Sequence, residues 1–233
     1  MPPLRIAVAA ALLAALSPAQ DGATRRHTTT VFAIDLPAEW RELGPEEADR
    51  LREQLPYMLR AVHTSIPHGT ALQVFGAVDR WLESGFDGRA LQIVSTSGGP
   101  AVDEELVETL REHYTAFDAE GVRREVLEAH LSTVGKDAHP CAELRIRTVE
   151  PGFPPTRQLE FSTSTGARWL NLSFHAWEDD WDEAEAGIRA LASSLTFPHP
   201  PRDPEVLGDR LLEAAVVGGL VGVLLLTLRK LRG

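Results

Sequence analysis

The chain has 233 residues, 43% of them hydrophobic, and a formal net charge of −11 at pH 7. Residues 20–208 contain 32 of the 34 Asp and Glu residues and 18 of the 23 Lys and Arg residues, which gives this region a net charge of about −14. Such a charge disfavours binding to nucleic acid and to anionic lipid headgroups. Cys141 is the only cysteine, which excludes an internal disulfide.

Residues 1–19 are predicted to be a signal peptide. Arg5 provides a short positive region, residues 6–16 form an apolar run, and residues 17–19 (Ser-Pro-Ala) suit a cleavage site with small side chains. An uncleaved N-terminal anchor is the alternative, but an apolar run of this length is too short for a full membrane span.

The next region, residues 28–198, is predicted to be one α/β domain. In its first half we expect a helix over residues 45–62, which Pro56 should kink or split. Residues 84–88 give a turn-rich connection, and Asp103 caps a helix with Leu106 and Leu110 on its buried side. Alternating apolar residues predict strands at residues 30–36, 72–78 and 91–95.

The second half of the domain is predicted to be an antiparallel meander. Residues 122–134 are ambiguous between strand and helix, and we favour a strand because further strands follow. These are predicted at residues 142–148, 158–164 and 168–177. Asp180 and Glu183 have the spacing of a capping box at the start of a final helix.

The chain ends in a predicted membrane anchor. Residues 199–210 form a Pro-rich stalk, residues 211–228 a transmembrane helix, and residues 229–233 a basic tail on the cytoplasmic side. Residues 214–228 carry no charge and span roughly 22 Å as a helix. A buried core helix, or a sorting signal removed during maturation, is the alternative to a permanent span.

Two glycines lie four residues apart in the predicted span. Gly218 and Gly222 permit close approach of two helices in a bilayer, which would form a homodimer through the span. Chance occurrence in a segment rich in Gly, Ala, Val and Leu explains the pair equally well.

Three tryptophans lie close together in the sequence. Trp169 and Trp177 share the side of their strand opposite Leu172, and Trp181 follows in an acidic segment. Either a helix covers these side chains or they form an exposed interaction surface. We favour burial, with Trp169, Trp177 and Trp181 kept as a candidate interaction surface.

Two short motifs point to a known family. Residues 32–40 (FAIDLPAEW) resemble the strand and Leu-Pro-x-x-Trp entry of the Mog1/PsbP-like and DcrB-like group, and the end of the domain is similar in its aromatic strand and its closing residues 192–197 (ASSLTF). Across residues 28–198 the resemblance implies an α/β/α sandwich with a central, mainly antiparallel sheet, which agrees with the strand and helix pattern. Members of this group are mostly accessory and binding proteins without shared catalytic residues. The bacterial members tend to be lipid-anchored at the N-terminus, whereas here the predicted anchor is C-terminal.

No catalytic, cofactor-binding or metal-binding motif emerges from the sequence. The chain lacks a G-x-S-x-G elbow and a phosphate-binding glycine loop. His63 with His68, and His139 with Cys141, have spacings unlike those of a zinc signature. The acidic run at residues 178–183 lacks the spaced ligands of a calcium loop. We therefore expect no cofactor and no metal.

The sequence thus predicts a single-pass membrane protein of the α+β class. Its domain would lie outside the cytoplasm, on a bacterial inner membrane, and would bind or steady another envelope protein without catalysis. The alternative is a membrane-tethered hydrolase whose site residues are scattered in sequence.

Overall fold

The computed structural model describes residues 23–60, 69–119, 121–166 and 168–200, which form an α+β fold with one large antiparallel sheet and few helices. The helices are α1 (Pro45–Leu51), α2 (Tyr57–Arg60), α3 (Val78–Ser84), α4 (Glu104–Thr115) and α5 (Trp181–Ser193). The strands are β1 (Thr24–Thr28), β2 (Ala33–Pro37), β3 (Arg41–Glu42), β4 (Ala71–Gly76), β5 (Ala90–Ser97), β6 (Asp118–Ala119), β7 (Val122–Val134), β8 (His139–Val149), β9 (Thr156–Thr165) and β10 (Arg168–Trp177).

The main sheet has eight strands in the order β3-β4-β5-β10-β9-β8-β7-β6, and each neighbouring pair is antiparallel. At its centre, β9 and β10 pair along their full lengths, from Thr156 opposite Trp177 to Thr165 opposite Arg168. Strands β1 and β2 form a separate two-stranded sheet. Since side chains alternate along a strand, each long strand contributes to both faces of the sheet.

The larger apolar core lies mainly on the face of the sheet that α5 covers, and at β4 it extends to the other face, where Val74 and Trp81 are fully buried. Leu170, Leu172 and Phe174 of β10 are fully buried on the α5 face, together with Ile188 and Ala192 of α5. Burial of each large apolar side chain stabilises the fold by about 1.5–3 kcal/mol. The β1–β2 sheet closes this core through a bridge between Ala33 and Thr196, whose backbone groups exchange two hydrogen bonds of 2.9 Å.

The opposite face of the sheet is covered in part by α4 and combines a small apolar cluster with a polar area. The apolar cluster contains Leu106, Val107, Leu110, Ala142, Leu144, Ile146 and Trp169. The strand β9 contributes buried polar residues to the same face, at positions that alternate with the apolar residues Leu159 and Phe161. The two faces of one sheet therefore differ in chemistry.

Helix α4 begins as the sequence predicts. The Asp103 carboxylate accepts a hydrogen bond of 2.9 Å from the backbone N–H of Leu106, and Glu104 and Glu105 lie in the positive first turn. Leu106 and Leu110, one helical turn apart, face the sheet.

Several predicted boundaries can be compared with the structure. Pro56 separates α1 from α2, and residues 122–134 form a strand, so both predictions are confirmed. The strand predicted over residues 72–78 is wrong at its end, because Val78 begins α3, a helix that we did not predict. The capping box predicted at Asp180 is also wrong. Asp180 ends a short 3-10 turn, and its side chain makes no capping hydrogen bond.

The segments predicted at the two ends of the chain lie outside the described residues. This applies to the signal peptide (1–19), the stalk beyond Pro200, the span (211–228) with Gly218 and Gly222, and the tail (229–233). Within the described residues, no helix is long and apolar enough to cross a membrane.

Gly76 and Gly187 provide a matched test of packing in the larger core. A Cβ atom on Gly76 would lie 2.0 Å from the ring of Trp81, which is fully buried. A Cβ atom on Gly187, inside α5, would meet nothing within 4 Å.

We expect Gly76→Ala to lower the free energy of unfolding by about 1–3 kcal/mol, because the Trp81 ring must shift in a close-packed core. Gly187→Ala should raise it by up to about 1 kcal/mol, because alanine favours a helix. Urea unfolding of both variants checks this, and an unchanged stability of Gly76→Ala would contradict the described packing.

Candidate functional site

A small cavity lies where β8, β9 and β10 meet helix α2 and the loop after α3. Its lining residues are Pro56, Met58, Leu59, Phe86, Thr148, Glu150, Phe153, Pro154, Thr156 and His175. We call this space the end cavity, because Thr156 and His175 lie at the end of the β9–β10 hairpin that is far from its turn. Its volume of about 10 Å³ is close to the smallest that holds a water molecule.

The floor of the end cavity is polar. Thr148, Thr156 and His175 are each at least nine-tenths buried and come from three neighbouring strands. Within the described residues, Oγ1 of Thr148 and Nε2 of His175 have no hydrogen-bond partner. An unpaired buried polar atom costs about 1–3 kcal/mol, so both atoms favour a water molecule or a polar ligand group in the cavity.

The rim of the end cavity is aromatic and is held in place by contacts. The Phe86 ring lies 5.2 Å from the Trp177 ring, edge to face. The Arg60 guanidinium lies 5.1 Å from the centre of the Phe153 ring and pairs with Glu150 at 2.7 Å. Glu150 also accepts a hydrogen bond of 2.7 Å from the backbone N–H of Tyr57, so the rim and α2 are linked.

A buried carboxylate lies next to this floor, on the same face of the sheet. Glu160 of β9 is fully buried. Its Oε1 accepts hydrogen bonds from Tyr114 Oη, Asn171 Nδ2 and Ser162 Oγ at 2.7, 2.6 and 3.3 Å. Its Oε2 accepts from Tyr114 Oη, Gln158 Nε2 and Ser173 Oγ at 2.8, 2.7 and 3.0 Å. We call these residues the Glu160 network.

Arg124 of β7 packs over Tyr114, the residue of this network that belongs to α4. Its guanidinium lies 4.8 Å from the centre of the Tyr114 ring and 4.9 Å from that of the Phe117 ring. Burial lowers the pKa of Arg124 and raises that of Tyr114 well above its usual value, the latter with help from the Glu160 carboxylate. Tyr114 therefore stays protonated, and its O–H donates a hydrogen bond to the Glu160 carboxylate.

His175 is neutral in the folded protein. Burial, with a smaller contribution from the charge of Arg124, lowers the pKa of its imidazole to about 3. A base this weak does not activate a nucleophile effectively near pH 7. Both oxygens of Glu160 already accept hydrogen bonds inside the protein, which is typical of a structural carboxylate. The arrangement therefore favours binding at the end cavity over acid–base catalysis.

The structure places the three tryptophans of the candidate interaction surface in different surroundings. Trp169 is buried under α4, and Trp181 is buried in the larger core on the other face of the sheet. Trp177 is half-buried beside Phe86, and a Cβ atom on Gly88 would lie only 2.2 Å from its ring. Trp177 is connected to the end cavity through Phe86, which lines it. A role of the three residues in an interaction stays a prediction.

The residues weighed as metal ligands have other contacts. His139 Nε2 lies 2.7 Å from the carbonyl oxygen of Ser164, and its ring lies 4.2 Å from that of Phe197. Cys141 is fully buried in the larger core. Across the described residues there is no group of three or more His, Cys, Asp or Glu side chains that could hold a metal ion. His63 and His68 lie outside those residues.

Sequence reasoning missed the Glu160 network. The signal was present, since Gln158, Glu160 and Ser162 alternate with Leu159 and Phe161. Such alternation usually marks a strand with one face in water. Only the structure reveals that the polar side of β9 is also buried.

No family model and no curated protein matches the chain. Solved structures that are similar to it include the following two. One is the solution structure of cyanobacterial PsbP (CyanoP) from Synechocystis sp. PCC 6803, with 16% identity, 79% of this chain and 98% of that chain covered, and a TM-score of 0.48. The other is a crystal structure from Bacteroides thetaiotaomicron VPI-5482, with 16% identity, 79% of this chain and 50% of that chain covered, and a TM-score of 0.40.

The likeness to cyanobacterial PsbP is one of fold and agrees with the predicted resemblance to the PsbP-like group. This chain spans about half the length of the Bacteroides chain. At such low identity the likeness concerns the fold alone, and no inference about a site or a partner rests on it.

His175 makes the stability of the domain depend on pH. Its pKa is about 3 when folded and roughly 6.5 when unfolded, so between these values the unfolded state binds a proton that the folded state does not. The contribution of the neutral His175 to the free energy of unfolding is therefore fully present above pH 6.5. It falls on acidification, by up to about 1.4 kcal/mol per pH unit.

Between pH 7.5 and 5.0 the wild-type protein should lose about 2 kcal/mol more stability than the His175→Gln variant. Urea unfolding of both proteins at the two pH values measures the difference. The lowered pKa values of His27 and His113 act equally in both proteins and cancel. Equal losses in the two proteins would contradict the buried, neutral His175.

Proposed function

We propose that this protein is a membrane-anchored extracytoplasmic binding domain that contacts another envelope protein and does not catalyse a reaction. The apolar segments at residues 1–19 and 211–228 support the anchoring and the topology, and the basic tail at 229–233 supports a cytoplasmic C-terminus. A bacterial inner membrane fits this arrangement.

The observation that carries the proposal is the position of the end cavity relative to the exit of the chain. The carbonyl oxygens of His199 and Pro200 accept hydrogen bonds from Thr165 Oγ1 and from the backbone N–H of Gly166, each at 3.1 Å. The chain therefore leaves the described domain at the β9–β10 turn. The end cavity lies at the other end of these strands, roughly 30 Å away.

The predicted stalk limits how the domain sits on its anchor. Residues 201–210 span at most roughly 33–36 Å when fully extended. This reach is close to the length of the strands. The attachment at the β9–β10 turn thus leaves the rim of the end cavity free for a protein in the same membrane or in solution.

The rim has the chemistry of a protein-binding surface. Phe86, Phe153 and Trp177 are half-buried and belong to the residue types that are enriched at interfaces. Beneath them, Thr148 and His175 offer polar atoms without partners among the described residues. We expect the partner to place an apolar side chain against the rim, with a hydrogen-bonding group directed at the floor.

Site-specific crosslinking of the full-length chain tests this proposal. A photoreactive phenylalanine analogue at Phe153 should form one discrete product with another membrane protein when cells of the native host are irradiated. The same analogue at Ala38, an exposed residue outside the rim, serves as the matched control.

The expected result is a discrete product at position 153 and none at position 38. The binding role would be contradicted by the absence of a discrete product at position 153, or by the same product in equal yield at both positions.

A further inference from the structure

Strand β7 has a long free edge. It pairs with β8 from Arg123 to Val134, whereas on its other side β6 pairs only with its first two residues, Val122 and Arg123. Beyond Arg123, no other strand of the described residues pairs with this edge. Such an edge presents backbone N–H and C=O groups that a further strand can use.

Two observations establish which backbone groups point outward from β7. Thr133 lies opposite Pro140, which has no N–H to give, so the two form a pair without mutual hydrogen bonds. The Ala129 carbonyl accepts a hydrogen bond of 3.0 Å from Arg111 Nη2 of α4, so it points away from β8. Because the direction alternates along a strand, Ala129, Leu131 and Thr133 all direct their backbone groups outward.

The same part of β7 carries exposed apolar side chains. Leu131 is 39% exposed and Leu127 is 36% exposed, and only Val149, on β8, joins them among the large exposed hydrophobic residues of the described chain. Leu127 lies at a bulge in the pairing with β8, whereas residues 128–134 pair regularly. The regular part of the free edge is therefore centred on Leu131.

We propose that the β7 edge binds a second copy of this chain, as an antiparallel pair of β7 strands with a two-fold axis at Leu131. The two Leu131 side chains then bury each other. Ala129 lies opposite the partner's Thr133, and each outward residue exchanges both backbone hydrogen bonds with its opposite residue.

The charges of the edge fit this register. Glu128 lies opposite the partner's Val134, and His130 lies opposite the partner's Ser132, so no like charges face each other. A register centred on Ala129 is less favourable, because it draws the bulged Leu127 into the ladder opposite the partner's Leu131.

Arg111 regulates access to this edge. In the single chain its guanidinium donates a hydrogen bond to the Ala129 carbonyl oxygen. This bond must break before the second strand pairs. The Arg111 side chain is 45% exposed, so it can move into solvent. Its removal should therefore favour the dimer.

The paired edge is short, so tethering matters. Seven residues from each chain bury less surface than a stable dimer in dilute solution needs. Confinement to one membrane raises the effective concentration. The two-fold axis runs perpendicular to the sheet, which puts the two Pro200 residues on opposite sides of the axis. Two anchored chains therefore pair with their sheets parallel to the bilayer.

Disulfide trapping in membranes that hold the full-length chain tests the register. In the proposed dimer the two copies of residue 131 lie about 5.5 Å apart between Cα atoms, within the range of a disulfide. The two copies of residue 127 lie roughly 27 Å apart. Leu131→Cys and Leu127→Cys are thus a matched pair of exposed sites. The native Cys141 does not interfere, because it is fully buried and burial raises its pKa to about 12.

Mild oxidation should convert Leu131→Cys to a disulfide-linked dimer at least ten-fold faster than Leu127→Cys. Adding Arg111→Ala to Leu131→Cys should raise the rate further. Equal rates at the two positions, faster linkage at position 127, or no linkage at position 131 would overturn the proposal. If the full-length chain proves soluble, the same comparison in concentrated solution separates this result from a failure of the anchoring.

Discussion

The hydrogen bonds to the buried carboxylate of Glu160 are the interactions on which the α4 side of the sheet depends. A carboxylate without water is tolerated only when each oxygen accepts hydrogen bonds, and β9, β10 and α4 all contribute donors. Tyr114 ties α4 to the middle of the sheet, and Arg124 packs over the Tyr114 ring. The helix is thus located by polar contacts in addition to its short apolar stripe.

The end cavity lies beside the Glu160 network, on the same face of the sheet. Helix α4 packs mainly on β7, with fewer contacts to β8, and the polar side chains next to it continue across β9 and β10 to His175. Here a neutral imidazole and a threonine hydroxyl are left beside a space of about 10 Å³. This end is the binding surface in the proposed function, and the β7 edge is a separate surface for a second copy.

The sequence predicts those parts of the fold in which the spacing of apolar residues fits either a helix or a strand, but not both. The apolar side of β10 and the split at Pro56 follow from local pattern and from proline geometry, and the structure has both. Helix α3 was missed because Val78 continues the alternating apolar pattern of β4. In the structure Val78 begins a helix instead, and Trp81 of that helix packs closely against Gly76. The end cavity could not be predicted, because α2, the loop after α3 and three strands meet there only in the folded chain.

Membrane fractionation with external protease tests the central claim most directly, that one domain folds outside the cytoplasm and is held there by residues 211–228. The full-length chain is compared with a chain that ends at Gly208. We predict that the full-length protein stays in the membrane fraction and is cleaved by protease from outside, whereas the shorter chain is released and unfolds at the same urea concentration as the intact domain. Recovery of the full-length protein in the soluble fraction, or its protection from external protease, would contradict the account.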